Sequence, residues 1–134
     1  MSAPKMRIDS VDFYVRNVRT RMPFKYGLAI LTSVPILHAI VNVTVEGKRV
    51  QGIAADILPP KWFDKDPEKE YEDNVEDLLF CARAAARVYS AVGRSPNTFF
   101  SIWQEGYEAT LAAGDTRRLN HLTAAHGSSL MERA

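Results

Sequence analysis

The stretch "PILHAIVNVTVEGKRVQGIAADIL", Pro35 to Leu58, constrains the fold more than any other part of the chain. Leu37, Ala39, Val41, Val43 and Val45 fall on one parity, and Ile36, His38, Ile40, Asn42 and Thr44 on the other. A repeat of two is the side-chain period of a strand, and the β-branched content fits a pleated surface. The turn around Gly47 in "EGKR" interrupts the pattern, and "VQGIAADIL" resumes it, so the segment reads as a hairpin. An isolated hairpin is marginal in water and needs further strands or helices against one face.

Both are available. Upstream, "MRIDSVDFYVRNV" alternates at Ile8, Val11, Phe13 and Val15, with an irregularity at Ser10–Val11 that reads as a bulge. Downstream the period changes. Tyr71, Val75, Leu78, Leu79, Ala82, Ala86 and Tyr89 recur at spacings of three and four, as one stripe of a helix. Asp66 and Pro67 are read as its N-cap and first position, and Gly93 as its C-cap. A second helix is expected from Ser95–Pro96 to Gly114, presenting Phe99, Phe100, Trp103, Tyr107 and Leu111. A third is expected over roughly Asp115 to Ala125. Strands at about 6–58 followed by helices at about 67–125 predict a single α+β domain, a three-stranded antiparallel sheet packed on a helical bundle.

Two stretches resist this scheme. In "TRMPFKYGLAILTSVP", Thr20 to Pro35, apolar and aromatic residues sit among Pro23, Gly27, Thr32, Ser33 and Pro35, which reads as a loop. "PPKWFDKDP", Pro59 to Pro67, is a second proline-bounded aromatic loop. Phe24 and Tyr26 suit either local packing beneath a strand end or a ligand-facing lid. Arg21 and Lys25 either attract an anion or are solvated loop charges. Trp62 and Phe63 suit either an interface or a contact with the first helix.

Bulk properties exclude several functions. With 17 basic and 16 acidic residues the net charge is +1, too small an excess to neutralise a nucleic-acid backbone. Cys81, the one cysteine, has no internal disulfide partner and is read as a half-buried thiol. His38, His121 and His126 lack neighbours at ligand spacing, and the acidic run Glu68 to Asp77 reads as a solvated face near a helix start, so no metal site is expected. The segment Val34 to Val45 is broken by Pro35, His38, Asn42 and Thr44, and "MSAPKMRIDS" lacks the apolar run of a signal peptide. No membrane partner and a cytoplasmic location are expected.

The order of these motifs resembles the N-terminal capping domain of the enolase superfamily, nearest its mandelate racemase and muconate-lactonizing branch. The resemblance rests on "MRIDSVDFYVRN", on Pro23-Phe24 with Tyr26-Gly27, and on Gly52-Ile53-Ala54 within "TSVPILHAIVNVTVEGKRVQGIA". The family commonly places Glu soon after that glycine, where this chain has Ala55 and Asp56. The resemblance implies a lid over a (β/α)8 barrel that holds Mg and the acid–base residues, with a small carboxylate as substrate. By the same token no catalytic residue and no cofactor are expected in this chain, Mg belonging to the barrel. Arg21, Phe24, Lys25, Tyr26 and Trp62 would be the substrate-binding lid residues. "SSLMERA", with Ser129 and Glu132 at capping-box spacing, reads either as a frayed terminus or, in line with the resemblance, as the start of a further helix that a longer protein would complete. Apolar surface made to face a barrel also predicts a homo-oligomer. The competing reading is a stand-alone oligomerisation or protein-binding module.

Overall fold

A computed structural model describes residues 1–134. The chain begins with strands β1 (Lys5–Tyr26), β2 (Ala29–Val45) and β3 (Lys48–Ile57). Helix α1 (Tyr71–Val92), strand β4 (Asn97–Thr98) and helices α2 (Phe99–Asp115) and α3 (His121–Arg133) follow. The fold is α+β, with an antiparallel sheet in the order β3-β2-β1-β4. The sheet therefore has four strands where three are expected from the sequence. The fourth is only two residues long, pairing Asn97 and Thr98 with Met6 and Lys5, and no period-two pattern can announce so short an element.

Turn chemistry sets the register. Glu46 and Gly47 have φ of 47° and 79°, the doubly left-handed pair of a type I′ turn, and Val45 pairs with Lys48 across it. At the other end of β2, Tyr26 pairs with Ala29 across Gly27-Leu28, with Gly27 at φ 53°. The segment Thr20 to Pro35 is thus largely a strand hairpin, correcting the expectation of a loop. Register shifts interrupt β1 between Arg19 and Phe24 and between Ile8 and Ser10. The second of these is the bulge, centred on Asp9 and one residue earlier than the sequence pattern puts it. Asp9 accepts hydrogen bonds from Thr44 Oγ1 (2.7 Å) and Arg7 Nε (2.9 Å).

One face of the sheet carries the helices. Val41, Val43 and Ile8 pack with Ala85, Tyr89, Ile102 and Met131, while Leu37, Ala39, Ala54 and Leu58 pack with Leu78, Ala82 and Leu130. Small residues let the helices close up. A Cβ on Gly127 of α3 would stand 2.3 Å from the Cys81 carbonyl oxygen of α1, so only glycine fits that crossing. The Cys81 side chain packs with Leu119 and Ala124, 1% exposed rather than half-buried, and burial raises its thiol to about 11.

Gly93 caps the C-terminus of α1 as expected, but all three helix starts shift from the sequence expectation, for local reasons. Asp66 does not cap α1. Asp64 accepts from the Asp66 N–H (3.0 Å) and Asp66 from the Glu68 N–H (2.9 Å), side-chain turns that compete with helix. The helix begins four residues later, where the Glu70 N–H donates to Asp73 (2.9 Å). Residues after Pro96 are drawn into the sheet, and Thr98 caps α2 by accepting from the Ser101 N–H (3.2 Å). Arg118 ends the turn after α2 at φ 57°, and Asn120 caps α3, accepting from the Thr123 N–H (2.9 Å). The helices thus span 71–133 rather than about 67–125. Ser129 lies inside α3, so "SSLMERA" belongs to the last turns of that helix and caps nothing.

Candidate functional site

The two proline-bounded aromatic stretches meet in space. The Tyr26 hydroxyl donates to the Pro60 carbonyl (2.5 Å), and the Tyr26 and Trp62 rings meet edge to face at 5.2 Å. Phe24 lies against Tyr26 at 5.6 Å between centroids. On the other side of the hairpin tip, the Ile30 N–H donates to the Tyr71 hydroxyl (3.3 Å). Between hairpin and loop lies an open cavity of about 560 Å3. The hairpin contributes Tyr26 to Ala29, and the opposite wall is Lys61, Trp62, Lys65, Pro67 and Tyr71.

The loop wall is held from beneath. Lys61 adopts φ 60°, its N–H donates to Asn74 Oδ1 (2.7 Å), and its ammonium donates to the Asp66 (2.5 Å) and Lys69 carbonyls. Lys69 in turn bridges Asp64 (2.6 Å) and Asp77 (2.8 Å), tying the loop to α1. Those hydrogen bonds, Asp64's first, raise the Lys69 pKa further above its ordinary value. Burial pushes the Asp64 carboxyl up, but hydrogen bonds from Lys69 and the Asp66 N–H outweigh it and the net direction is down.

The polar character of the cavity follows. Lys61 is spent on carbonyls, and the Tyr26 hydroxyl on Pro60. Burial, and then Tyr71, hold Tyr26 above the ordinary tyrosine range, so it stays a neutral phenol. Tyr71 accepts from Ile30 and keeps its own proton to donate, while Lys65 is exposed and makes no ion pair. No carboxylate lines the cavity. Aromatic walls with the Lys65 ammonium and the Tyr71 hydroxyl as donors and no carboxylate suit a small anionic molecule with an apolar body.

Of the residues singled out from the sequence, Tyr26 and Trp62 line this cavity and Phe24 backs Tyr26. Lys25 pairs with Ile30, which puts both on the strand face opposite Tyr26 and Ala29, and Arg21 lies exposed in the register irregularity. Neither basic residue lines the cavity. The lysine that does so with a free ammonium is Lys65, together with Tyr71, which the helical pattern assigns to the apolar stripe of α1. A tyrosine at the first position of a helix that follows a Pro-rich loop is the one signal that marks it in the sequence.

Elsewhere, His38 is half-buried on the outer sheet face, and His121 is exposed, 3.2 Å from Asp115. His126 is buried against the Phe63 ring (5.7 Å). No group of three or more His, Cys, Asp or Glu side chains is placed to hold a metal ion. No helix is long and apolar enough to cross a membrane. In comparisons with protein-family models, curated proteins and solved structures, nothing matches this chain.

Proposed function

We propose that this chain is the capping domain of a Mg-dependent enolase-superfamily enzyme, one that racemises, cycloisomerises or dehydrates a carboxylic acid or acid sugar. Its role is to close and shape the active site, with the chemistry carried by a (β/α)8 barrel elsewhere in the protein. The observation that carries this reading is the convergence of hairpin tip and Pro59–Pro67 loop on one open, aromatic, donor-lined cavity. A lid needs such a surface, because excluding water strengthens the electrostatics around a substrate anion. The strand-hairpin-helix order and the Pro-Phe, Tyr-Gly and Gly-Ile-Ala elements add the family resemblance. Tyr26 and Trp62 are the substrate-facing residues, Phe24 supports them, and Arg21 and Lys25 act on the substrate only through their field.

The test is to read the genomic frame beyond the Ala134 codon. The expected result is an in-frame continuation of about 200 codons or more, with a Lys-x-Lys element and spaced acidic ligands. A stop codon directly after Ala134 overturns the reading.

A second reading has its own observation. Phe99 and Phe100 are 52% and 63% exposed at the start of α2, and Phe100, Trp103 and Tyr107 continue as a row of rings 5.6–5.7 Å apart. A surface of this kind suits a protein-binding or oligomerisation module, or the homo-oligomer expected of the capping domain itself. Sedimentation across a concentration series separates a monomer from either associated form.

A further inference from the structure

Beneath the cavity wall lies a second, much smaller space of about 10 Å3, bordered by the Pro59–Asp64 stretch, α1 and α3. Two side chains that line it, Asn74 of α1 and Thr123 of α3, are 3% and 2% exposed. No protein group bonds Asn74 Nδ2 or Thr123 Oγ1. The orientation of the amide is fixed, because Oδ1 accepts the Lys61 N–H and a flipped amide would set donor against donor. Its NH2 is therefore the group left without a protein partner. Two buried polar atoms without partners in a native fold are costly, by more than an ordinary hydrogen bond contributes. The space matches the ~10–15 Å3 that one water molecule needs, and it offers polar partners on several sides.

We propose that one internal water occupies this space and acts as the latch between the bundle and the loop that walls the larger cavity. It accepts from Asn74 Nδ2 and exchanges a hydrogen bond with Thr123 Oγ1. Asp77, which also lines the space and gives Oδ2 to Lys69, offers its second carboxylate oxygen to the water's remaining proton. Asn74 is then a positioning residue. Through Oδ1 it holds Lys61 in its left-handed conformation, and through the water it ties that hold to α3. The proposal rests on burial and geometry alone and stands whether or not the cavity above is a lid.

The sign of one substitution decides it. Thr123→Val keeps the volume and branching of the side chain and removes the hydroxyl. If the hydroxyl binds water, Tm falls by roughly 3 °C for a domain of this size and hydrogen exchange at the Lys61 amide speeds up. Thr123→Ser restores both. If the hydroxyl has no partner, replacing it with a methyl removes a desolvation penalty, and Tm stays level or rises. That outcome overturns the proposal. A crystal structure of the chain gives the direct check. Density between Asn74 Nδ2 and Thr123 Oγ1 supports the latch, and a space without density there sinks it.

Discussion

Two tyrosines show how differently the two ends of this molecule are built. Tyr89, on α1, is 3% exposed, and its hydroxyl shares a 2.6 Å hydrogen bond with Ser128 of α3 inside the main core. Tyr26, at the hairpin tip, spends its hydroxyl on the Pro60 carbonyl, but its ring forms the wall of an open cavity. Burial raises both phenols above their ordinary range. The first is closed on all sides by helices and sheet. The second is packed on one side and left available on the other. The fold thus keeps a closed core at one end and an open aromatic surface at the other, over a loop pinned by Lys61, Lys69 and Asn74.

Substitutions at the two ends test that separation. The largest effect is expected from Leu37→Ala, since Leu37 is 1% exposed in the sheet–helix core; chemical denaturation should show a loss of about 3 kcal/mol. Trp62, 52% exposed, should lose less than about 1 kcal/mol on conversion to Ala. In the full-length enzyme that the lid reading implies, however, Trp62→Ala should raise KM by roughly tenfold. A Trp62 variant as unstable as Leu37→Ala would erase the distinction between core and site.

The tyrosines themselves give a finer version of the same contrast. Tyr89→Phe leaves the buried Ser128 hydroxyl without a partner and should cost about 1–2 kcal/mol. Tyr26→Phe frees a carbonyl beside an open cavity that water can reach, and should cost less than about 1 kcal/mol. Equal losses in the two variants would mean that the hairpin tip is as closed as the core.

Smaller still is the effect of pH through His126, whose pKa is lowered chiefly by burial. The unfolded chain takes up a proton near the ordinary value of about 6.5, while the folded chain resists it. Stability is therefore level above that value and falls as pH drops below it. The comparison to make is Tm between pH 7.5 and 5.5 for the native chain and for His126→Leu, in which the decline should flatten. At the bottom of the scale, Cys81 should show no measurable alkylation by iodoacetamide in the native state, because its thiol is sealed and its pKa is near 11.

Much of the fold is legible in the residue pattern. The alternation at Leu37, Ala39, Val41 and Val43 is the inward face of β2, and Leu78, Ala82 and Tyr89 are the buried stripe of α1. These periods are properties of single elements, and burial of one face enforces them wherever the element lies. The turn at Glu46-Gly47 is legible for the same reason, since its backbone conformation is a local demand.

What the sequence could not determine depends on partners distant along the chain. The hairpin extends to Tyr26 and Ala29 because two strands satisfy each other's backbone, although Pro23, Gly27 and Pro35 read locally as breakers. The start of α1 moved from Asp66 to Glu70 because Asp64 and Asp66 found competing turn bonds. Asn97–Thr98 became a strand because β1 offered an edge. In the site, Tyr26 and Trp62 are readable as aromatic residues in unusual loops. That Lys65 rather than Lys25 borders the cavity was decided by strand parity, and that Lys61 is spent was decided by carbonyls folded under it. Periodicity is written into neighbouring residues, whereas the use of a polar group is settled only when the chain brings its partner within about 3 Å.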